Sequence, residues 1–321
     1  MTQTTRIVFE KHQVRKSKKQ KTAFIDYVQG VAAAEGYDCH VEKGYFGARN
    51  IVVGNPDRAK VIYTAHYDTC ARLPFPNFIT PKSIGIYLLY QLVLTVAMLG
   101  LPFLLMTGLG VLLTLLTPIS DALLGLILYE GWLICLVAEV ALMMAGPANR
   151  HTANDNTSGV TVLLDTMQAL PADLRADAAF IFFDLEEMGL FGSAGYANKH
   201  KAIMKNTLLL NFDCVSDGDT ILFAVRKGAK QYASSIEAAF PPTDALRVEV
   251  VSKGVFYPSD QANFNRGVGV AALKSTRRGL LYMNRIHTSR DTVYKEDNII
   301  YITNGAVSLT CLLSAKRSET V

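Results

Sequence analysis

Charge is missing where the chain is most apolar. Residues 83–149 contain no Lys and no Arg, and only three acids, Asp121, Glu130 and Glu139. That absence excludes an ordinary soluble surface for this stretch. Cysteine is sparse and unpatterned: Cys39, Cys70, Cys135, Cys214 and Cys311 are scattered and odd in number. None has CxxC spacing, so no thiolate metal site is expected and free thiols in a reducing compartment are. No apolar run follows the initiator Met, so no secretory signal is visible. Net charge is only +4, too little to point to nucleic acid. Much of the positive charge lies in "KHQVRKSKKQK" (11–21). It reads as a solvated leader, or as a segment drawn to anionic lipid.

The rest of the chain has ordinary composition. Helices are expected over 22–36, 154–170, 193–204 and 297–314. Strands are expected over 50–54, 60–66, 178–184, 207–213, 220–225 and 268–273. "AAFIFFD" is a continuous apolar run, the pattern of a strand covered on both faces. Alternating strands and helices predict an α/β/α sandwich around a mostly parallel mixed central sheet.

Several strands end in acid or histidine. "VIYTAH" ends in His66, with Asp68 two residues on; "FIFFD" runs into Glu186 and Glu187; "LLLNFD" ends in Asp213. Ligands of open α/β sheets bind beyond the carboxyl ends of the strands. Asp155 starts a helix, and "RIHTSRDT" supplies His287. Each has a plainer reading alone: Asp155 as an N-cap, Asp213 as a turn starter, the glutamates as a solvated pair. Together they pattern as a metal site, because clustered carboxylates repel unless a cation or protons neutralise them. His with Asp and Glu suits zinc, or else manganese or cobalt. Two metals about 3.5–4 Å apart, bridged by one carboxylate, would use all the donors. Arg277, Arg278 and Tyr282 precede His287 and are candidates to grip a substrate carboxylate or carbonyl. A solvated arginine pair fits equally.

The motifs "AHYDT" (65–69), "NDNTSG" (154–159), "FDLEEMGLFGS" (183–193), "LNFDCVSDGD" (210–219), "YPSDQANF" (257–264) and "IHTSRDT" (286–292) resemble the M28 group of zinc aminopeptidases and carboxypeptidases. They run in order through roughly residues 20–315, outside the apolar block. The resemblance implies two Zn2+ ions. His66 and Asp213 would hold one, Glu187 and His287 the other, and Asp155 would bridge them. Asp68 would orient His66, and Glu186 would be the general base that activates a metal-bound water. Substrates would then be peptides, cleaved by an exopeptidase. Gln261 stands where relatives often carry His, at a position not counted as a ligand. The larger departure is the long stretch between His66 and Asp155, short in typical relatives. A single-zinc cyclase or amidase on the same fold is the enzymatic alternative, and a membrane scaffold the non-enzymatic one.

The apolar block fills that stretch. The division expected is a discontinuous peptidase domain, 1–82 and 147–321, with an inserted helical segment over 83–146. As one helix, residues 83–120 would run about 55 Å, nearly twice a ~30 Å hydrocarbon core. Gly100, Pro102, Gly108 and Gly110 are natural breaks, so the expected hairpin is 84–106 and 123–145. Glu130 and Glu139 fall on opposite sides of a helix. An acid at mid-bilayer costs roughly 2.5–3.5 kcal/mol, so at least one belongs near the interface or in a protein-lined cavity. His66 and Asp155 flank the block and must meet, so the number of crossings is even. Arg72, Lys82 and Arg150 lie on the catalytic side, which the positive-inside rule puts in the cytoplasm. The reading is an integral membrane protein whose partners are peptide substrates and the lipid bilayer. The alternative is a soluble enzyme with a hydrophobic lid.

Overall fold

The computed structural model describes residues 1–315. In chain order, the first half contains α1 (Gln3–Lys11), α2 (Lys18–Ala34), β1 (Cys39–Lys43), β2 (Arg49–Val53), β3 (Val61–His66), α3 (Ile84–Leu116), α4 (Asp121–Ala145) and α5 (Gly159–Ala169). There follow β4 (Ala178–Phe183), α6 (Phe191–Lys199), α7 (Lys201–Met204), β5 (Leu208–Phe212) and β6 (Thr220–Val225). The chain closes with α8 (Ala233–Ala239), β7 (Arg247–Val251), β8 (Gly267–Ser275), β9 (Leu281–Tyr282) and α9 (Glu296–Ala315).

The strands form one mixed sheet in the order β1–β2–β4–β3–β5–β8–β6–β7, with β9 paired to β8. The central run β4–β3–β5–β8 is parallel. Antiparallel pairings flank it: β1 and β2 on one side, β6 on β8 on the other. Every residue of β3, β4 and β5 is buried, which is why these strands read as unbroken apolar runs. Side chains alternate between faces. Tyr63, Phe180, Phe182, Leu210 and Phe212 meet a layer built by α1, α2, α5, α8 and α9. Ile62, Ile181, Phe183 and Leu209 meet α6 and α7 through Tyr196 and Met204. The result is the expected α/β/α sandwich.

The sequence reading missed α1, α8, β1, β7 and the two-residue β9; the β1 and β7 edge strands are short and only partly buried. Residues 11–21 are no leader. Ser17 caps α2 in a reciprocal box with Gln20. Arg15 is fully buried, and Lys21 is buried against Asp184.

Helix α3 runs unbroken through Gly100, Pro102, Gly108 and Gly110, longer than the expected 84–106. Proline costs one backbone hydrogen bond, a loss that apolar helices with packed neighbours accommodate. The extra length has two uses. Its first turns rest on the sandwich, where Tyr90 Oη donates to Pro76 O at 2.6 Å and Tyr87 meets Phe256. Its later turns pack on α4, where Gly110 lies against Leu128 and Gly131 against Met106. Most of the exposed leucines of α3 and α4 are more than half exposed. Both helices are long and apolar enough to cross a membrane. Glu139 lines a cavity of about 540 Å³ among Leu73, Phe75, Met98 and Leu142, and one carboxylate oxygen has no partner there. Glu130 is exposed on α4.

Helix α9 also has the length and hydropathy of a span, but Ile299, Ile302, Ala306 and Leu309 are buried in the sandwich. A Cβ on Gly305 would stand 2.1 Å from the Phe240 ring. Gly305→Ala should therefore destabilise the fold by about 1–3 kcal/mol through overpacking, and lower the thermal midpoint of the detergent-solubilised chain by several degrees. An unchanged midpoint would mean that α9 is packed elsewhere.

Candidate metal centre

The parallel strands β3, β4 and β5 end side by side and hand their next residues to one cleft. His66 closes β3; Glu186 and Glu187 follow β4 after a reversal at Leu185; Asp213 follows β5 directly. Asp155 comes from an irregular turn over Ala153–Ser158, in which it and Asn156 leave helical angles. The expected helix over 154–170 therefore begins only at Gly159. The turn's polar side chains are spent on the backbones they must hold. Asn156 donates to Phe212 O at 3.0 Å, Asn154 accepts from Ser216 N at 2.8 Å, and Ser158 accepts from Val215 N at 2.9 Å. Asp291 accepts from the Asn154 and Asp155 amides at 2.8 and 3.0 Å. A Cβ on Gly159 would lie 2.2 Å from Phe212 O, so the helix can start this close only with glycine.

Leu185, Cys214 and His287 adopt positive φ, as does Leu190 at the cleft wall. Non-glycine residues avoid this region at about 1–3 kcal/mol each, and such strain clusters at functional sites. Here it turns the chain sharply at three of the donor-bearing loops.

The donors form three overlapping groups: two share Asp155, and the third joins His66 with Glu186 and Glu187. His66 Nε2 lies 3.3 Å from Asp155 Oδ1 and 3.5 Å from Asp213 Oδ1. His287 Nε2 lies 3.2 Å from Asp155 Oδ2 and 3.2 Å from Glu187 Oε2. Two donors about 2.0–2.1 Å from a tetrahedral ion stand roughly 3.3 Å apart, so both Asp155 groups have the spacing of ligands. Glu187 Oε1 and Asp213 Oδ1 are buried with no hydrogen-bond partner, the state of an oxygen kept for a cation. Cys70 joins Asp155, Glu187 and His287 within 4.8 Å.

Electrostatics point the same way. Burial pushes the Glu187 carboxyl up to about 8, with Asp155 adding and His287 opposing. Burial alone would lower His287, but Glu187 and Asp155 outweigh it and raise the imidazole to about 9. Burial likewise raises Glu186 well above the carboxylate range, against His66. Burial of the glutamates and the negative charge around His287 both favour added protons here, and a cation would supply the same neutralisation.

Asp68 does more than its neighbour suggested. Its carboxylate accepts from Glu186 N at 3.1 Å and Glu187 N at 3.3 Å. His66 Nδ1 lies 3.2 Å from Asp68 O but 3.6 Å from its carboxylate. The carbonyl is thus the nearer partner of the imidazole, and the side chain positions the glutamate pair. Gln261 turns inward, donating to Tyr257 O at 2.7 Å.

The structure does not bring Arg277, Arg278 or Tyr282 to the cleft. The two arginines sit exposed in the turn between β8 and β9, and Tyr282 meets Phe78. Closeness to His287 in sequence misled here, because a hairpin turn carries them away. The cleft, about 290 Å³, is instead walled by Asn77, Ile79, Leu190, Tyr257, Pro258 and Ile286. Sequence reasoning also gave no role to Asp291, Asn154 or Asn156. All three lie within quoted motifs, and that spacing was the available signal.

A family profile described as peptidase family M28 matches residues 140–311. No curated protein matches the chain in sequence. Solved structures share its fold. The LapA aminopeptidase of Legionella pneumophila is 13% identical with a TM-score of 0.55, over 97% of this chain and 68% of that one. Porphyromonas gingivalis glutaminyl cyclase is 15% identical with a TM-score of 0.56, over 95% and 94%. A leucine aminopeptidase precursor from Bacteroides thetaiotaomicron is 14% identical with a TM-score of 0.53, over 95% and 92%.

Because Asp155 serves both donor groups, Asp155→Ala should empty both, whereas Asp213→Ala should spare the His287 group. Metal analysis after dialysis, with circular dichroism to check folding, reads this directly. Full metal content in Asp155→Ala would contradict the shared geometry.

Proposed function

Since the chain belongs to peptidase family M28, we propose that it is a membrane-anchored, zinc-dependent exopeptidase of aminopeptidase type that holds two ions. The observation that carries this reading is Asp155, whose two oxygens face separate donor groups. His66, Asp155 and Asp213 would hold one ion, and Asp155, Glu187 and His287 the other. A metal bound there would polarise the scissile carbonyl and lower the pKa of a coordinated water.

The chain's own groups do the rest. Glu186 lines the cleft and coordinates nothing in this assignment, which leaves it free to move a proton. As general base it takes a proton from the attacking water, then hands it to the leaving amine. Asp68 holds Glu186 and Glu187 by their amides, so that one points to metal and the other to water. A cleft of about 290 Å³ is at the small end of ligand pockets, which suits a chain end better than a long segment.

A single-metal cyclase is the second reading, favoured by the glutaminyl cyclase among the structural neighbours. Metal stoichiometry separates the two: two ions per chain support the peptidase, one the cyclase.

Helices α3 and α4 would cross the bilayer as a hairpin and return the chain to the side it left. Arg72, Lys82 and Arg150 would keep the catalytic body cytoplasmic. The expected substrates are hydrophobic peptides at the membrane surface.

Glu186→Gln should keep its metal and lose about 10²–10⁴-fold in turnover of a peptide library. A variant that still hydrolyses at the wild-type rate removes Glu186 from this role. Apolar peptides should be cleaved faster by the enzyme in liposomes than in detergent. Equal rates would leave the hairpin without a part in substrate delivery.

A further inference from the structure

Cys70 follows "AHYDT", four residues after His66, and no second cysteine stands at CxxC spacing from it. In the fold it is 3% exposed, beneath the His287 side of the centre and off the cleft wall. Its sulfur belongs to one group with donor atoms of Asp155, Glu187 and His287, all within 4.8 Å of one another. The Glu187 side chain is 7% exposed, and its Oε1 has no partner. The backbone around Cys70 is pinned for this position. Asn149 N donates to Cys70 O at 3.1 Å, and Asn149 Nδ2 donates to Thr288 O, beside His287, at 3.0 Å.

We propose that Cys70 Sγ is a ligand of the metal held by Asp155, Glu187 and His287. This rests on the reading that those residues bind a metal. The sulfur binds as thiolate, its proton leaving to solvent. In a tetrahedral shell a sulfur at about 2.3 Å stands about 3.5 Å from an oxygen or nitrogen at about 2.0 Å, so a group gathered within 4.8 Å closes with about an ångström of side-chain movement. Two oxygens, one nitrogen and one sulfur then complete a tetrahedral set, as in closed zinc sites. The His66, Asp155 and Asp213 group has three protein donors and keeps an open position, as catalytic zinc sites do. The two positions are thus unequal: one is closed by a soft donor and slow to exchange, the other open to the cleft.

X-ray absorption at the zinc edge tests this on the full zinc-loaded chain in detergent. A sulfur scatterer at roughly 2.3 Å is expected. Cys70→Ser should lose it and bind the tighter metal at least about tenfold more weakly. Cys214→Ser, altering the buried thiol next to Asp213, should keep it. Zinc bound by nitrogen and oxygen alone would overturn the sulfur ligand and leave the peptidase reading standing. A sulfur shell lost in Cys214→Ser instead would overturn the assignment to Cys70. A chain that binds no zinc would sink both.

Discussion

Negative charge crowded into a buried space governs this molecule. Asp155 and Asp213 are buried in one donor group, Glu187 shares Asp155's other group, and buried Asp68 lies beside His66 and the amides of Glu186 and Glu187. No protein of ordinary stability carries that many ionised carboxylates together without compensation. Part of the compensation is built in. Arg15 lies fully buried, its Nε donating to Tyr67 O and Nη1 to His12 O at 2.6 Å. Burial lowers its guanidinium to about 10, against the pull of Asp68 and Asp155, so it still carries its charge at neutral pH. One arginine does not balance the cluster. The remaining demand for positive charge makes the donor set a metal centre rather than a chance grouping of acids.

The sheet answers the geometric half of the problem. Parallel pairing in register sets the ends of β3, β4 and β5 level, so side chains distant in sequence arrive at one edge. What register cannot supply, the turns do. Asn154, Asn156 and Ser158 stitch the Asp155 turn to the backbone beyond β5. Strain at Leu185, Cys214 and His287 is tolerated because those backbones are held from several sides. Positions that look like turn residues in sequence thereby become the scaffold of the centre.

The buried strands and the donors were legible because both leave strong local marks. Apolar runs gave β3, β4 and β5, and a histidine or acids at strand ends gave His66, Asp213 and the glutamate pair. Elsewhere the marks were weak or misleading. β1 and β7 are edge strands with half-exposed faces, and their sequences lack an apolar run. Arg15 sits in a basic stretch that looks solvated, and only the fold shows its guanidinium enclosed. The continuity of α3 through Pro102 depends on packing against α4, which no local rule anticipates. Arg277 and Arg278 were drawn toward the site by nearness along the chain, which a tight hairpin undoes.

Ala71 and Ala148 pair across an antiparallel bridge at the root of the long apolar excursion. Residues so paired have Cα atoms about 4.5–5.5 Å apart, little more than the 3.8 Å between chain neighbours. The excursion therefore leaves and rejoins through a doorway one residue wide. Just inside it, Asn77 and Ile79 wall the cleft, and Ile79 forms a second bridge with Met283. The excursion thus serves the cleft before it lengthens into α3 and α4, and the bridge draws its two ends together behind them.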